Sequence, residues 1–96
     1  MDIQVLDIRL LAGDRPLRAF CDMQLGDITI RDFRVYQTSG KPTVRNPYST
    51  YKGHEGNLNF REIISLPSMV QSATHALILS EYFRRLEEKK NGKPDR

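Results

Sequence analysis

The sequence predicts an α+β domain: an antiparallel β-meander of about five strands followed by a long C-terminal amphipathic helix. The early apolar residues alternate with polar ones, glycine- and proline-containing turns break that alternation at short intervals, and beyond Pro67 the apolar spacing lengthens to three or four residues. With 96 residues, 39% of them apolar and 28% charged, the chain is sized for one domain over 1–90 with a polar tail at 91–96 expected to fray.

In the first element Leu6, Ile8 and Leu10 alternate with Asp7 and Arg9, the pattern of a strand buried on one face. Gly13-Asp14-Arg15-Pro16 supplies turn chemistry, so a hairpin follows. Leu17, Ala19, Cys21, Met23 and Leu25 then share a face, and Gly26-Asp27 reverses the chain again. The third strand holds Ile28 and Ile30 in one phase and Phe33 and Val35 in the other. That jump predicts either a bulge near Arg31-Asp32 or burial on both faces.

After Ser39-Gly40-Lys41-Pro42, Thr43-Val44-Arg45 leaves room for only a short strand before Asn46-Pro47. The stretch Tyr48–Asn59 has Gly53 and Gly56 and no periodicity, which reads as an exposed loop over 46–59. Leu58, Phe60, Glu62 and Ile64 resume alternation as a last strand. Met69, Ala73, Ala76, Leu79, Phe83 and Leu86 define the apolar stripe of the helix. Its start is either a capping box from Ser68 to Gln71 or an earlier turn opened by Pro67, and Gly92 and Pro94 are placed to end it.

The formal charge is +3, and its distribution is uneven: residues 1–40 balance to −1, 41–61 to +3 and 62–96 to +1. The central excess comes from Lys41, Arg45, Lys52 and Arg61 against Glu55 alone. Arg84, Arg85, Lys89, Lys90 and Lys93 form a second basic group, read as cations favoured at the helix C-terminus. No apolar run is long enough for a signal peptide or a membrane span, and the lone Cys21 cannot pair within the chain, so a cytoplasmic protein without membrane association is expected.

Enzyme signatures are missing: there is no phosphate-binding glycine loop, nucleophile elbow or metal-binding histidine pair. His54 beside Glu55 reads as a solvated loop residue, His75 as a surface residue and Cys21 as a small buried hydrophobe. Neither catalysis nor a cofactor or metal is expected. In the segment from Arg45 to His54, basic side chains alternate with Tyr48, Tyr51 and hydroxyl or amide donors. Such residues can neutralise phosphates, hydrogen-bond their oxygens and stack on unpaired bases.

The ordered strings Asp7-Ile8-Arg9-Leu10, Leu17-Arg18-Ala19, Asp32-Phe33-Arg34-Val35, Asn46-Pro47-Tyr48 and Phe60-Arg61-Glu62-Ile63, followed by a helix, resemble the bacterial SpoVG family of small regulators over residues 2 to 86. Arg31 stands where that family usually has His. Tyr48-Ser49-Thr50-Tyr51-Lys52 replaces its Ser-Lys-Arg segment within a lengthened loop.

The resemblance implies a homodimer that binds DNA, and in some relatives RNA, to regulate gene expression; family names refer to sporulation and septation. The expected nucleic-acid contacts are Arg45, Lys52 and Arg61 on phosphates, Arg34 in support from its strand, and Tyr48 and Tyr51 for stacking. Sequence preference should be modest, because a mobile loop offers no rigid element to a groove. The alternative is a protein-interaction adaptor in cell division or septation that meets other regulatory proteins without direct nucleic-acid binding.

Overall fold

A computed structural model describes residues 1–90; the expectations of a frayed tail at 91–96 and of a helix end at Gly92 and Pro94 lie outside the described residues. Antiparallel β-sheets and one C-terminal helix make the fold α+β. The strands number six and lie in two sheets. β1 (Ile3–Leu10), β2 (Leu17–Leu25), β3 (Ile28–Tyr36) and β4 (Thr43–Arg45) form a four-stranded meander in chain order. β5 (Tyr48–Lys52) and β6 (Leu58–Glu62) pair separately as a hairpin, and α1 spans Ser68–Lys90.

The expected 46–59 loop is therefore half strand, β5 and the start of β6 taking residues 48–52 and 58–59. Alternation fails to show there because neither hairpin face is buried deeply enough to demand it. The available signal was Tyr48, Thr50, Tyr51 and Phe60 flanking a glycine-bearing turn.

Ala19, Cys21, Met23 and Leu25 bring one face of β2 into the core, where Ile8, Ile30, Phe33 and Val35 join them. Burial pushes the Cys21 thiol up to about 12, with the charges of Asp22 and Glu81 adding to the effect, so it packs as a neutral side chain. Two bulges set the phases of the neighbouring strands. In β1 the register skips Leu6, which leaves that residue 50% exposed and moves the core phase from Ile3 and Val5 to Ile8 and Leu10. In β3 Arg31 and Asp32 together oppose Asp22, which decides for the bulge over burial on both faces, the two readings the sequence allowed. Asp32 adopts φ 69°, the left-handed region that an Asp tolerates better than most residues.

The helix covers the core face with Thr74, Ile78 and Tyr82, flanked by Val70 and Leu79. The stripe expected from the sequence is turned away from it: Met69 is 86% exposed and Phe83 50%, Ala73 and Ala76 are exposed, and only Leu79 of that set packs on the core. Apolar residues occur around most of the circumference, so spacing alone admits either stripe. The sheet selects the row at 70, 74, 78 and 82. Pro67 provides the first helical acceptor, its carbonyl taking the Gln71 N–H at 2.8 Å, while the Gln71 side chain reaches Asn46 and forms no capping box.

Candidate nucleic-acid interface

The sheet face opposite the helix holds the polar phase of β2: Phe20, Asp22 and Gln24. Asp22 is 5% exposed. Its carboxylate accepts Arg9 Nη1 at 2.9 Å and Nη2 at 3.2 Å, Arg31 Nη1 at 3.3 Å and the backbone N–H of Asp32 at 3.1 Å. Burial alone would raise the Asp22 carboxyl. The hydrogen bonds from Arg9 and Asp32 and the charges of Arg9 and Arg31 outweigh it and hold the group below the ordinary carboxylate range. Arg9 also meets Asp7 at 2.8 Å and Asp32 at 3.2 Å, so in this part of the face two arginines meet three carboxylates and no positive charge is left over.

Further along β3 the chemistry changes. Arg34 lies opposite Phe20 of β2 and Arg45 of β4 in the strand register. Its guanidinium sits 5.4 Å from the Phe20 ring centroid and 4.1 Å from that of Tyr48, with Arg45 5.3 Å from the same Tyr48 ring. Arg34 Nη1 is buried without a hydrogen-bond partner; the ring faces on either side supply its favourable contact. The Tyr48 hydroxyl hydrogen-bonds that of Tyr36, whose own ionisation is pushed up to about 12 by burial and then by this bond. Phe60 closes the cluster edge-on to Tyr48 at 5.3 Å.

The hairpin root is anchored at two further points. Pro47 accepts the Ile63 N–H at 3.0 Å. Asn46, buried just before it, donates to Gln71 Oε1 at 2.8 Å and bonds His75 Nε2 through its own Oδ1 at 2.7 Å. With the Asn46 amide so committed, His75 Nε2 is the donor. His75 is thus half-buried and bridges the helix to the hairpin root, a correction to its reading as a plain surface residue. Burial lowers its pKa against the opposing charge of Glu62.

Of the six residues predicted from the sequence, Arg34, Arg45 and Tyr48 meet in one cluster. Tyr51 and Arg61 form a second one, the Arg61 guanidinium standing 5.6 Å from the Tyr51 centroid. The register explains the division: Ser49 faces Arg61 and Tyr51 faces Asn59, so these four share one side of the hairpin, while Tyr48, Thr50, Lys52, Leu58, Phe60 and Glu62 alternate onto the other. Tyr48 and Tyr51 therefore lie on opposite sides of the ribbon. Arg34, Arg45, Lys52 and Arg61 make no ion pair among the described residues.

Phe20, Tyr36 and His75 were not anticipated as parts of this site, and the sequence signal among these three is Phe20, an aromatic in the polar phase of β2. Asn46, expected as an amide donor of the Arg45–His54 segment, instead anchors the hairpin root to the helix. His54 and Glu55 are exposed at the hairpin tip, and the described residues contain no cluster of His, Cys, Asp or Glu fit to hold a metal. No helix among them is long and apolar enough to cross a membrane. No protein-family model matches the chain and no curated protein matches it, so the likeness to SpoVG rests on the ordered motifs alone.

Proposed function

We propose that this protein is a small cytoplasmic nucleic-acid-binding regulator of gene expression, as its resemblance to SpoVG implies, and that it binds through the hairpin and the arginines at its root. One observation carries this reading: Arg34, Arg45, Lys52 and Arg61 lie on and beneath the hairpin with no carboxylate paired to any of them among the described residues. Unneutralised guanidinium and ammonium groups are what a phosphate backbone requires, and here Arg34, Arg45 and Lys52 lie toward the Tyr48 side of the ribbon and Arg61 on the other.

Fluorescence-anisotropy titration of duplex DNA, single-stranded DNA and RNA at several salt concentrations tests it. Contact with three to six phosphates of duplex DNA gives a slope of log K against log salt of roughly −3 to −5, shallower in Arg45→Ala/Lys52→Ala. Failure of all three ligands to bind at low salt removes the reading.

The regulator acts as a homodimer in this proposal. Among the described residues neither edge strand of the four-stranded sheet, β1 or β4, has a further strand neighbour, and Met69, Ala73, Ala76, Leu77 and Phe83 leave an apolar face on the outside of α1. Light scattering should return twice the 11.1 kDa chain mass; a sole 11.1 kDa species at micromolar concentration rejects the dimer. The same exposed helix face favours the second reading, a protein-interaction adaptor without nucleic-acid binding, which predicts little salt dependence with nucleic acid and no effect of charge reversal at Lys52 in a nucleic-acid assay.

A further inference from the structure

We infer that the β5–β6 ribbon enters the major groove of duplex DNA with its Ser49–Tyr51–Asn59–Arg61 side toward the base edges, an inference that rests on the nucleic-acid reading above. A two-stranded antiparallel ribbon is one of the two protein elements a B-form major groove admits, the groove being about 12 Å wide and 8.5 Å deep. Two five-residue strands, roughly 17 Å long and about 4.8 Å apart, match that space.

The ribbon is an ordered hairpin whose root is held by the Tyr48–Tyr36 hydroxyl contact, the Asn46–Gln71 and Asn46–His75 bonds and the Pro47–Ile63 bond. Its tip is closed by Gly53 and Asn57 at 2.9 Å. An isolated two-stranded hairpin is only marginally stable in water, so these anchors pre-set the direction in which it projects.

The two sides of the ribbon differ in what they offer. The Tyr48 side turns its root toward Arg34 and Arg45, and Glu62 lies on it. The Tyr51 side has no acidic residue: Ser49, Tyr51 and Arg61 are exposed, and Asn59 contributes to the tip through a 3.4 Å bond to the Asn57 carbonyl. Arg61 is buttressed by the Tyr51 ring. The Arg61 guanidinium makes no ion pair among the described residues, so its N–H donors remain for a bidentate pair with guanine O6 and N7.

Single strands fit this geometry less well. A stacking platform needs successive rings along one surface. Here Tyr48 and Tyr51 point to opposite sides, with Tyr48 engaged by Arg34, Arg45 and Phe60. Duplex RNA is disfavoured as well, because the deep, narrow A-form major groove excludes protein side chains.

The full-length chain is used to select binders from a randomised duplex DNA pool. The selected duplex, its separated strands and an RNA duplex of the same sequence are then titrated. Partial methylation of the selected duplex with dimethyl sulfate marks guanine N7 in the major groove and adenine N3 in the minor groove.

The expected result is at least about tenfold tighter binding to the DNA duplex than to the strands or the RNA, with interference at guanine N7. Arg61→Ala should lose about five- to 100-fold in affinity together with one N7 position. Arg61→Lys keeps the charge and should relax base preference at that position while retaining most non-specific affinity. Equal binding of single strands, interference confined to adenine N3, or an N7 pattern unchanged in both Arg61 variants overturns the groove assignment. Salt-dependent binding of single strands without duplex preference does so while leaving the nucleic-acid reading intact; absence of binding to every ligand removes both.

Discussion

The outer sheet face carries two arginine clusters assembled on opposite principles. Around Asp22, Arg9 and Arg31 direct their N–H groups into a buried carboxylate, and Asp7 and Asp32 take up the remainder of Arg9. Around Tyr48, Arg34 and Arg45 face each other across β3 and β4, with aromatic rings in place of carboxylates. Like charges in directly opposed positions are unfavourable, and ring faces attract cations without cancelling their charge. The first cluster consumes its electrostatics within the fold. The second leaves its positive charge without a carboxylate partner among the described residues, and the hairpin is rooted there.

Removing the partner that Asp22 depends on should have the largest effect. Arg9→Ala leaves a buried carboxylate short of its bidentate donor and should destabilise the fold by about 2–4 kcal/mol, read from the urea midpoint. Replacing both partners, Asp22→Val with Arg9→Leu, should restore much of that loss, since a matched apolar pair carries no orphaned charge. A double variant as unstable as the single one would show that the network's geometry, beyond its charge, holds the strands.

The same network makes stability depend on pH. Because the folded Asp22 carboxyl titrates below its unfolded value, its contribution is complete above the unfolded pKa near about 3.9 and is lost as pH falls through the folded pKa. His75 acts in the same sense: with its folded pKa depressed by burial, its contribution is complete above about pH 6.5 and declines as acid protonates the unfolded chain first. Thermal midpoints should therefore begin to fall below about pH 6.5 and fall further below about pH 4. In Asp22→Asn the second decline should shrink, and in His75→Gln the first.

At the second cluster, stability and binding should separate. Arg34→Leu fills the slot between Phe20 and Tyr48 without the unpartnered Nη1, so stability should change by less than about 1 kcal/mol while nucleic-acid affinity falls severalfold. Loss of stability comparable to that of Arg9→Ala would place both clusters in the same structural role. The smallest expected effect is at the bulge. Asp32→Gly relieves the left-handed backbone and should add about 0.5–1 kcal/mol, less whatever the exposed Asp32–Arg9 pair contributes.

The meander was legible wherever a strand has one buried face, because burial enforces alternation. Strand β2 and the jump of phase across Arg31–Asp32 could be read directly, and Cys21 could be placed in the core. Of the hairpin, β6 was read as a strand from Leu58, Phe60 and Glu62, whereas β5 was not, since a strand exposed on both sides needs no apolar period. The helix was found, but its buried side was misassigned. A helix bearing Met69, Ala73, Ala76 and Phe83 on one flank and Val70, Ile78 and Tyr82 on another takes its orientation from the surface it meets.

Residue chemistry and order along the chain determined the α+β class, the turn positions, the jump of phase in β3 and the concentration of unmatched positive charge between Lys41 and Arg61. Tertiary structure decided which arginines are neutralised and which are left available. It also separated Tyr48 from Tyr51 and fastened the hairpin root to the helix through Asn46 and His75. The physical reason is range: backbone propensity and alternation act over a few residues, whereas Arg9 finds Asp22 and Arg34 finds Tyr48 only after distant segments have been brought together by burial of the core.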